Sequence, residues 1–280
     1  MKFFNWFKTQ APAKAAPQPP KNVITNFGNT SHIKNNTIAV NPEKSTLRNS
    51  TISFLGKNNS LIIEDGVHIE NSKIAFRGSN SIVYLSKSKW KYRTAIAIYG
   101  NSKLFVGEDN YFNNAENHPV TILVSEEKNI VIGSRCLFSF GIWLRTADPH
   151  LIYDIDSEKR INHSKSIVIG DHVWLGQDCL ILKNTFIGSG SIIGGNAVVS
   201  NKSIPSNQIW AGNPVRKVRE NIFWAEDCVH DWDQERTLKE ERRDATDVYT
   251  GGQAKQRFNP DDFDIFELAK NKDLYRFSLT

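Results

Sequence analysis

From Ile167 to Arg219 the hydrophobic and polar positions of the chain follow a period of six. Large aliphatics stand at Ile169, Leu175, Ile181, Ile187, Ile193 and Val199. Two places before each stands a second residue: Ile167, Val173, Cys179, Thr185, Ser191 and Ala197. Glycine follows the aliphatic at 170, 176, 188 and 194. Six is neither the helical period nor the alternation of a lone strand, and a strict short repeat is the mark of a solenoid. Each hexad predicts a short strand plus a turn. The aliphatic fills an inner column, the residue two back fits beside it, and the glycine permits a tight turn. One unit cannot bury its apolar face alone, so stacked neighbours supply the core.

The same period begins earlier, at Ile132, Phe138 and Leu144, breaks over residues 147–166, and resumes at Ile167. A polar segment ejected between two good coils points to function. Residues 22–129 show alternating aliphatics separated by Gly-Asn and Asn-Asn turns, as in S-L-I-I-E-D and A-I-A-I-Y-G-N, which predicts less regular coils of the same solenoid. Beyond Arg219 the period vanishes. Residues 221–243 read as a helix with Phe223, Trp224 and Trp232 as apolar anchors, capping the last coil or packing on a neighbouring subunit, and a short helix is expected at 262–272. Residues 1–21 hold four lysines, no acid and a Pro/Ala-rich tract, the composition of a flexible linker. The aromatics within residues 1–8 offer at most weak peripheral membrane contact. The expected organisation is therefore a flexible basic segment at 1–21, irregular coils at 22–129, regular hexad coils at 130–219 with the loop at 147–166, and an extension at 220–280.

Charge changes the picture more than composition does. The net charge of +5 conceals a body, residues 1–220, with 26 Lys+Arg against 16 Asp+Glu, and an end, residues 221–280, with 9 against 14. A basic body suits an anionic substrate or cofactor. No nucleic-acid recognition motif accompanies it. No apolar run approaches the roughly 20 residues of a membrane helix, and the start lacks a signal-peptide pattern, so a cytoplasmic location is expected. Cys136 and Cys179 fall at the small inward hexad position and read as structural.

The repeat, the loop with D-P-H at 148–150, the segment I-G-D-H-V-W-L-G at 169–176 and the closing I-P-S-N-Q-I-W-A-G-N-P-V-R-K-V-R at 204–219 resemble the hexapeptide-repeat acyltransferases. Within that family, R-T-A-D-P-H-L-I-Y-D followed by the Trp of V-W-L-G is similar to bacterial O-acetyltransferases of capsular sialic-acid polysaccharides. The resemblance implies an all-β solenoid, a left-handed parallel β-helix with an ejected catalytic loop and a C-terminal helical extension. It implies acetyl-CoA as co-substrate, a polysaccharide or oligosaccharide acceptor, and a homotrimer with active sites between subunits. No metal is expected.

Acetyl transfer to a sugar hydroxyl needs a base, because that hydroxyl is hardly ionised at neutral pH, and histidine suits the task. His150, which matches the family's catalytic histidine, is the expected base. Asp148 or a backbone carbonyl would orient its imidazole. His163 and His172 are rivals, although His172 occupies an outward hexad position and is expected to be exposed. Trp174 also points outward, and the resemblance sets it beside the reacting groups, through its backbone N–H or by packing on donor or acceptor, or else against an adjacent subunit. For acetyl-CoA the resemblance nominates Trp174, Gly176 and the Gly194-Gly195 pair beside the pantetheine arm, Ala211 and Gly212 against adenine, and Lys202, Arg216 and Lys217 for the phosphates. Arg145, Tyr153, Lys159 and Arg160 are candidates for the acceptor site. Two rival readings share the scaffold. A gamma-type carbonic anhydrase needs three histidines converging on zinc, for which His118, His150, His163 and His172 lack that family's placement. A non-enzymatic glycan-binding or scaffolding solenoid would need no base at all.

Overall fold

The computed structural model describes residues 22–113, 118–249, 256–271 and 277–278. The expectations for residues 1–21, membrane contact included, lie outside the described residues. The chain winds as a parallel β-solenoid with three faces. The first face is an eight-stranded sheet whose later strands are Val120–Val124, Trp143–Arg145, Leu180–Leu182 and Val198–Val199. The second, also eight-stranded, ends with Ile130–Ile132, Ile167–Ile169, Thr185–Ile187 and Lys202–Ile204. The third includes Leu137–Phe138, Trp174–Leu175, Ile192–Ile193 and Ile209–Ala211, and Arg216–Arg219 adds an antiparallel strand at its end. Neighbouring coils pair in register, as Ile169 with Ile187 and Leu175 with Ile193.

The hexad columns form the core. The six hexad aliphatics, Ile169, Leu175, Ile181, Ile187, Ile193 and Val199, are all buried, as are the residues two places before each, Cys179 among them. Desolvation pushes the Cys136 thiol well above its ordinary range and that of Cys179 up to about 11, as befits packing residues. The irregular coils continue the same core back to Ile24 without a break.

The glycines behave differently from the expectation. Gly170, Gly176, Gly188 and Gly194 are not the left-handed residues of the corners; His172, Asp178, Gly190 and Asn196 are, two places further on. What excludes a side chain at Gly176 is the next coil: a Cβ there would lie 2.5 Å from the Gly195 nitrogen. Close stacking of backbone on backbone, not turn geometry, sets the glycine period.

The extension is also not the expected helix at 221–243. Residues 222–228 have no regular structure, Val229–Asp231 is a single 3-10 turn, and only Gln234–Lys239 is α-helical (α1). The aromatics explain this, because Trp224 leaves the helical option to lie flat on His172 and Ile222 donates its backbone N–H to the Asn207 carbonyl. The second helix, Ile265–Asn271 (α2), forms near the expected place. With Phe258 it lays Ile265, Leu268 and Ala269 on the outer side of the second face, over Tyr84, Phe105, Val131 and Val168.

Candidate active site

The loop at 147–166 leaves the corner between the first and second faces, and polar contacts with that corner in both adjoining coils hold it there. Below, the Arg160 guanidinium and the Ser164 hydroxyl donate to the Glu126 carboxylate. Those bonds, Arg160 first, bring the Glu126 carboxyl down to about 2. Above, Lys183 Nζ lies 2.6 Å from Asp148 Oδ2 and donates to the Asn162 carbonyl at 3.1 Å. Inside the loop, Asn162 Nδ2 donates to the His150 carbonyl at 2.7 Å, and its Oδ1 accepts from the Ile152 N–H at 2.9 Å. A small antiparallel turn, with Asp154 N donating to Lys159 O and Ile161 N to Ile152 O, shapes the tip. His150 stands exposed on this frame.

Several expected roles change. Asp148 does not orient His150: its carboxylate is engaged by Lys183 and, at 3.3 Å, by Asn162, which together hold its pKa below the usual range, Lys183 foremost. It is a positioning residue for the loop. His172 is not exposed but 2% accessible, because the extension covers it. Its ring stacks on Trp224 at 3.9 Å and 5°, its Nε2 donates to the Trp224 carbonyl, and Trp224 Nε1 donates back to the His172 carbonyl. A histidine so enclosed is no rival base. His163 is exposed on the loop.

Among the acceptor candidates, Arg145 and Arg160 line a cavity of about 360 Å³ beneath the loop, beside Tyr99, Glu126, Asp148 and Leu151. Arg145 Nε is buried there with no partner among the described residues. Arg160 is committed to Glu126, and Tyr153 and Lys159 sit exposed at the loop tip, outside that cavity.

The residues nominated for acetyl-CoA mostly share a different edge, the corner between the third and first faces. Gly176, Gly194, Gly195, Ala211 and Gly212 follow third-face strands in successive coils, and Gly195 and Gly212 are exposed, so this ridge presents bare backbone. That fits a thin acyl-carrying arm. Trp174, 38% exposed, stands on the third face just before Gly176, with Trp224 5.9 Å away. Its backbone N–H donates to the Ser191 carbonyl at 3.0 Å, so the coil ladder uses the group expected to serve an oxyanion, and the indole is what remains outward. Lys202 belongs to the second face with its ammonium over the Trp210 ring at 5.7 Å, Lys217 pairs with Glu220 at 2.6 Å, and Arg216 lies exposed with Nη1 on the Val215 carbonyl.

The nominated residues therefore fall on two separate edges of the chain. In a three-sided prism the third face lies opposite the corner between the other two, so Trp174 is on the far side from His150. The first face separates the two edges, and its outward Trp143 and Leu180, paired in register, are 41% and 36% exposed. Sequence reasoning missed Lys183, Asn162, Glu126 and the covering role of Trp224. Lys183, Glu126 and Trp224 have partners distant in the chain, Asn162 bonds across the irregular loop, and no local pattern marks any of them. Among the described residues no group of His, Cys, Asp and Glu could hold a metal ion, and no helix is long and apolar enough to cross a membrane.

A hexad-built parallel solenoid that ejects a His-bearing loop at one edge and bares a glycine ridge at another has the build of a hexapeptide-repeat acyltransferase. No family model matches the chain. The polysialic acid O-acetyltransferase of Neisseria meningitidis is 36% identical over 197 residues, 70% of this chain and 88% of that protein. Among solved structures, the polysialic acid O-acetyltransferase OatWY superposes with a TM-score of 0.65 at 30% identity, covering 74% of this chain and 95% of that one. The polySia-specific acetyltransferase NeuO gives a TM-score of 0.62 at 32% identity over 74% and 93%. The chain belongs to the polysialic acid O-acetyltransferase family and is an O-acetyltransferase.

Proposed function

We propose that the protein transfers an acetyl group from acetyl-CoA to a hydroxyl of an acidic capsular glycan of the polysialic acid type, in the cytoplasm, as a homotrimer with its active sites between subunits. The observation that carries this reading is the separation of the half-sites on two edges of one prism. A second copy that sets its glycine ridge against the loop edge of the first brings Trp174 to His150. Both edges flank the first face, so three copies closing around that face would bury Trp143 and Leu180 and complete three equal sites.

At such a site His150 takes the proton of the sugar hydroxyl as its oxygen attacks the thioester carbonyl. The carbon–sulfur bond breaks and the CoA thiolate leaves, taking up a proton. This direct attack needs no covalent acyl-enzyme; Cys136 and Cys179 are buried in the core, and the exposed Cys228 belongs to the extension rather than to the loop or the ridge. Arg145, which lines the cavity under the loop, suits a sugar carboxylate. The relatives named for polysialic acid agree with that chemistry. Gly176, Gly194, Gly195, Ala211 and Gly212 would admit the pantetheine arm and nucleotide, with Arg216 as the exposed cation at their end.

The test is CoA thiol release from acetyl-CoA with sialylated and neutral glycans, comparing wild type with His150→Ala. Release that requires a sialylated acceptor and falls by about 10²–10⁴-fold in the folded variant supports the reading. Release that survives the substitution overturns the assignment of His150.

A further inference from the structure

Asn162 stands on the returning limb of the loop, 12 residues after His150, and is buried there. Its side chain has no spare hydrogen-bonding capacity. Nδ2 donates to the His150 carbonyl at 2.7 Å and to Asp148 Oδ2 at 3.3 Å. Oδ1 accepts from the Ile152 N–H at 2.9 Å and from Arg160 Nε at 3.2 Å. Two donors and two acceptor sites are all that a carboxamide possesses.

The four partners fix which way the amide points. Turned over, its NH2 would face the donors of Ile152 and Arg160, and its oxygen would face the His150 carbonyl and the Asp148 carboxylate. A carboxylate in its place would meet the same repulsion on the His150 side. The full set of bonds also rules out a direct part in binding, since the side chain keeps no group for a sugar or for acetyl-CoA.

The position of these bonds separates Asn162 from the other anchors of the loop. Glu126 holds Arg160 and Ser164, and Lys183 holds Asp148, so those contacts fasten the two limbs. Both tethers then reach Asn162: Arg160 Nη2 donates to its carbonyl at 3.3 Å and Lys183 Nζ at 3.1 Å. From there the side chain bonds the peptide groups on either side of Leu151, one of them carrying the His150 carbonyl. Leu151 and Ile152 are exposed, so burial does little to hold this stretch.

Resting on the assignment of His150 made above, we propose that Asn162 is the positioning residue of that base. It fixes the backbone from which the imidazole projects and touches neither substrate. Proton removal needs the ring nitrogen within about 3 Å of the hydroxyl, and a displacement of about 1 Å costs on the order of 10²-fold in rate.

The experiment measures kcat and KM of the full chain for acetyl-CoA and polysialic acid in wild type, Asn162→Asp, Asn162→Ala and His150→Ala. Asn162→Asp keeps the shape and the oxygen that serves Ile152, and loses the donor to His150. The loop supplies nothing to the apolar core, so thermal melting of both Asn162 variants should stay close to that of wild type. The expected result is a kcat lowered roughly 10- to 100-fold in both, Asp no better than Ala, with each KM within about twofold of wild type. A loss shared between kcat and the KM for polysialic acid would mean that the loop as a whole has lost its shape. A wild-type kcat in Asn162→Asp would mean that the bond to the His150 carbonyl is idle. Either result overturns the positioning role. The function proposed above fails separately, if wild type does not acetylate polysialic acid or if His150→Ala keeps its kcat.

Discussion

The two functional edges of the prism are built in opposite ways. The glycine ridge is made by subtraction: successive coils stack so closely that a side chain at Gly176 would meet the backbone of Gly195. The loop edge is made by addition, with residues 147–166 pinned to the corner by Glu126 and Lys183. The ridge gains its shape from the repeat itself and tolerates almost no volume. The loop depends on a few polar bonds and leaves its histidine free. The difference teaches that two edges of one solenoid can be shaped by different rules, one by the repeat and the other by its interruption.

The strongest attack on the comparison is to break each edge in a different chain. His150→Ala and Trp174→Ala should each be nearly inactive, and their co-expression should restore activity at about a quarter of the interfaces of a random trimer. No recovery in verified mixed trimers would place both halves in one chain and dissolve the comparison. Next in size is the cover on the ridge side. Trp224→Ala removes the ring that stacks on His172 and neighbours Trp174, and should cost about 3–5 kcal/mol in chemical denaturation. It should also raise the KM for acetyl-CoA and leave the acceptor KM alone. A variant as stable as wild type would detach the extension from the ridge.

Gly176→Ala tests the subtraction directly. Its Cβ has no room against Gly195, so the melting temperature should fall by the equivalent of about 1–3 kcal/mol of overpacking. An unchanged melt would mean that the ridge yields, contrary to the close stacking. The smallest effect belongs to the loop. The folded Glu126 carboxyl is held at about 2, below its ordinary 4.5, so its contribution is complete above 4.5 and is lost as pH falls through about 2. Glu126→Gln should reproduce the acid form at neutral pH, costing less than about 1 kcal/mol because the pair is half exposed, while limited proteolysis within 147–166 accelerates. Equal proteolysis rates would show that Lys183 alone holds the loop.

The regular coils, the loop and the family resemblance were legible because an 18-residue coil, as between Leu180 and Val198, is three unbroken hexads. The earlier coils step by 22 residues, as from Thr51 to Lys73 and on to Ala95. Their extra corner residues hide the period although the inner columns are the same. The extension misled for a related reason. Residues 221–243 have the look of a helix with apolar anchors, but Trp224 answers a stack with His172, which lies 52 residues back.

By itself the sequence determined the solenoid, the inward columns, the place of the loop and the identity of the candidate base. All of these follow from local period and from breaks in it, since each coil repeats the same burial problem. Only the tertiary structure decided that His150 and Trp174 stand on opposite sides of one chain, that Asp148 answers to Lys183, and that His172 is covered. Those outcomes depend on which coil corner faces which tail or neighbouring coil. A repeating sequence stamps the same local pattern on every coil, but the partner at each corner is set by packing between segments distant along the chain.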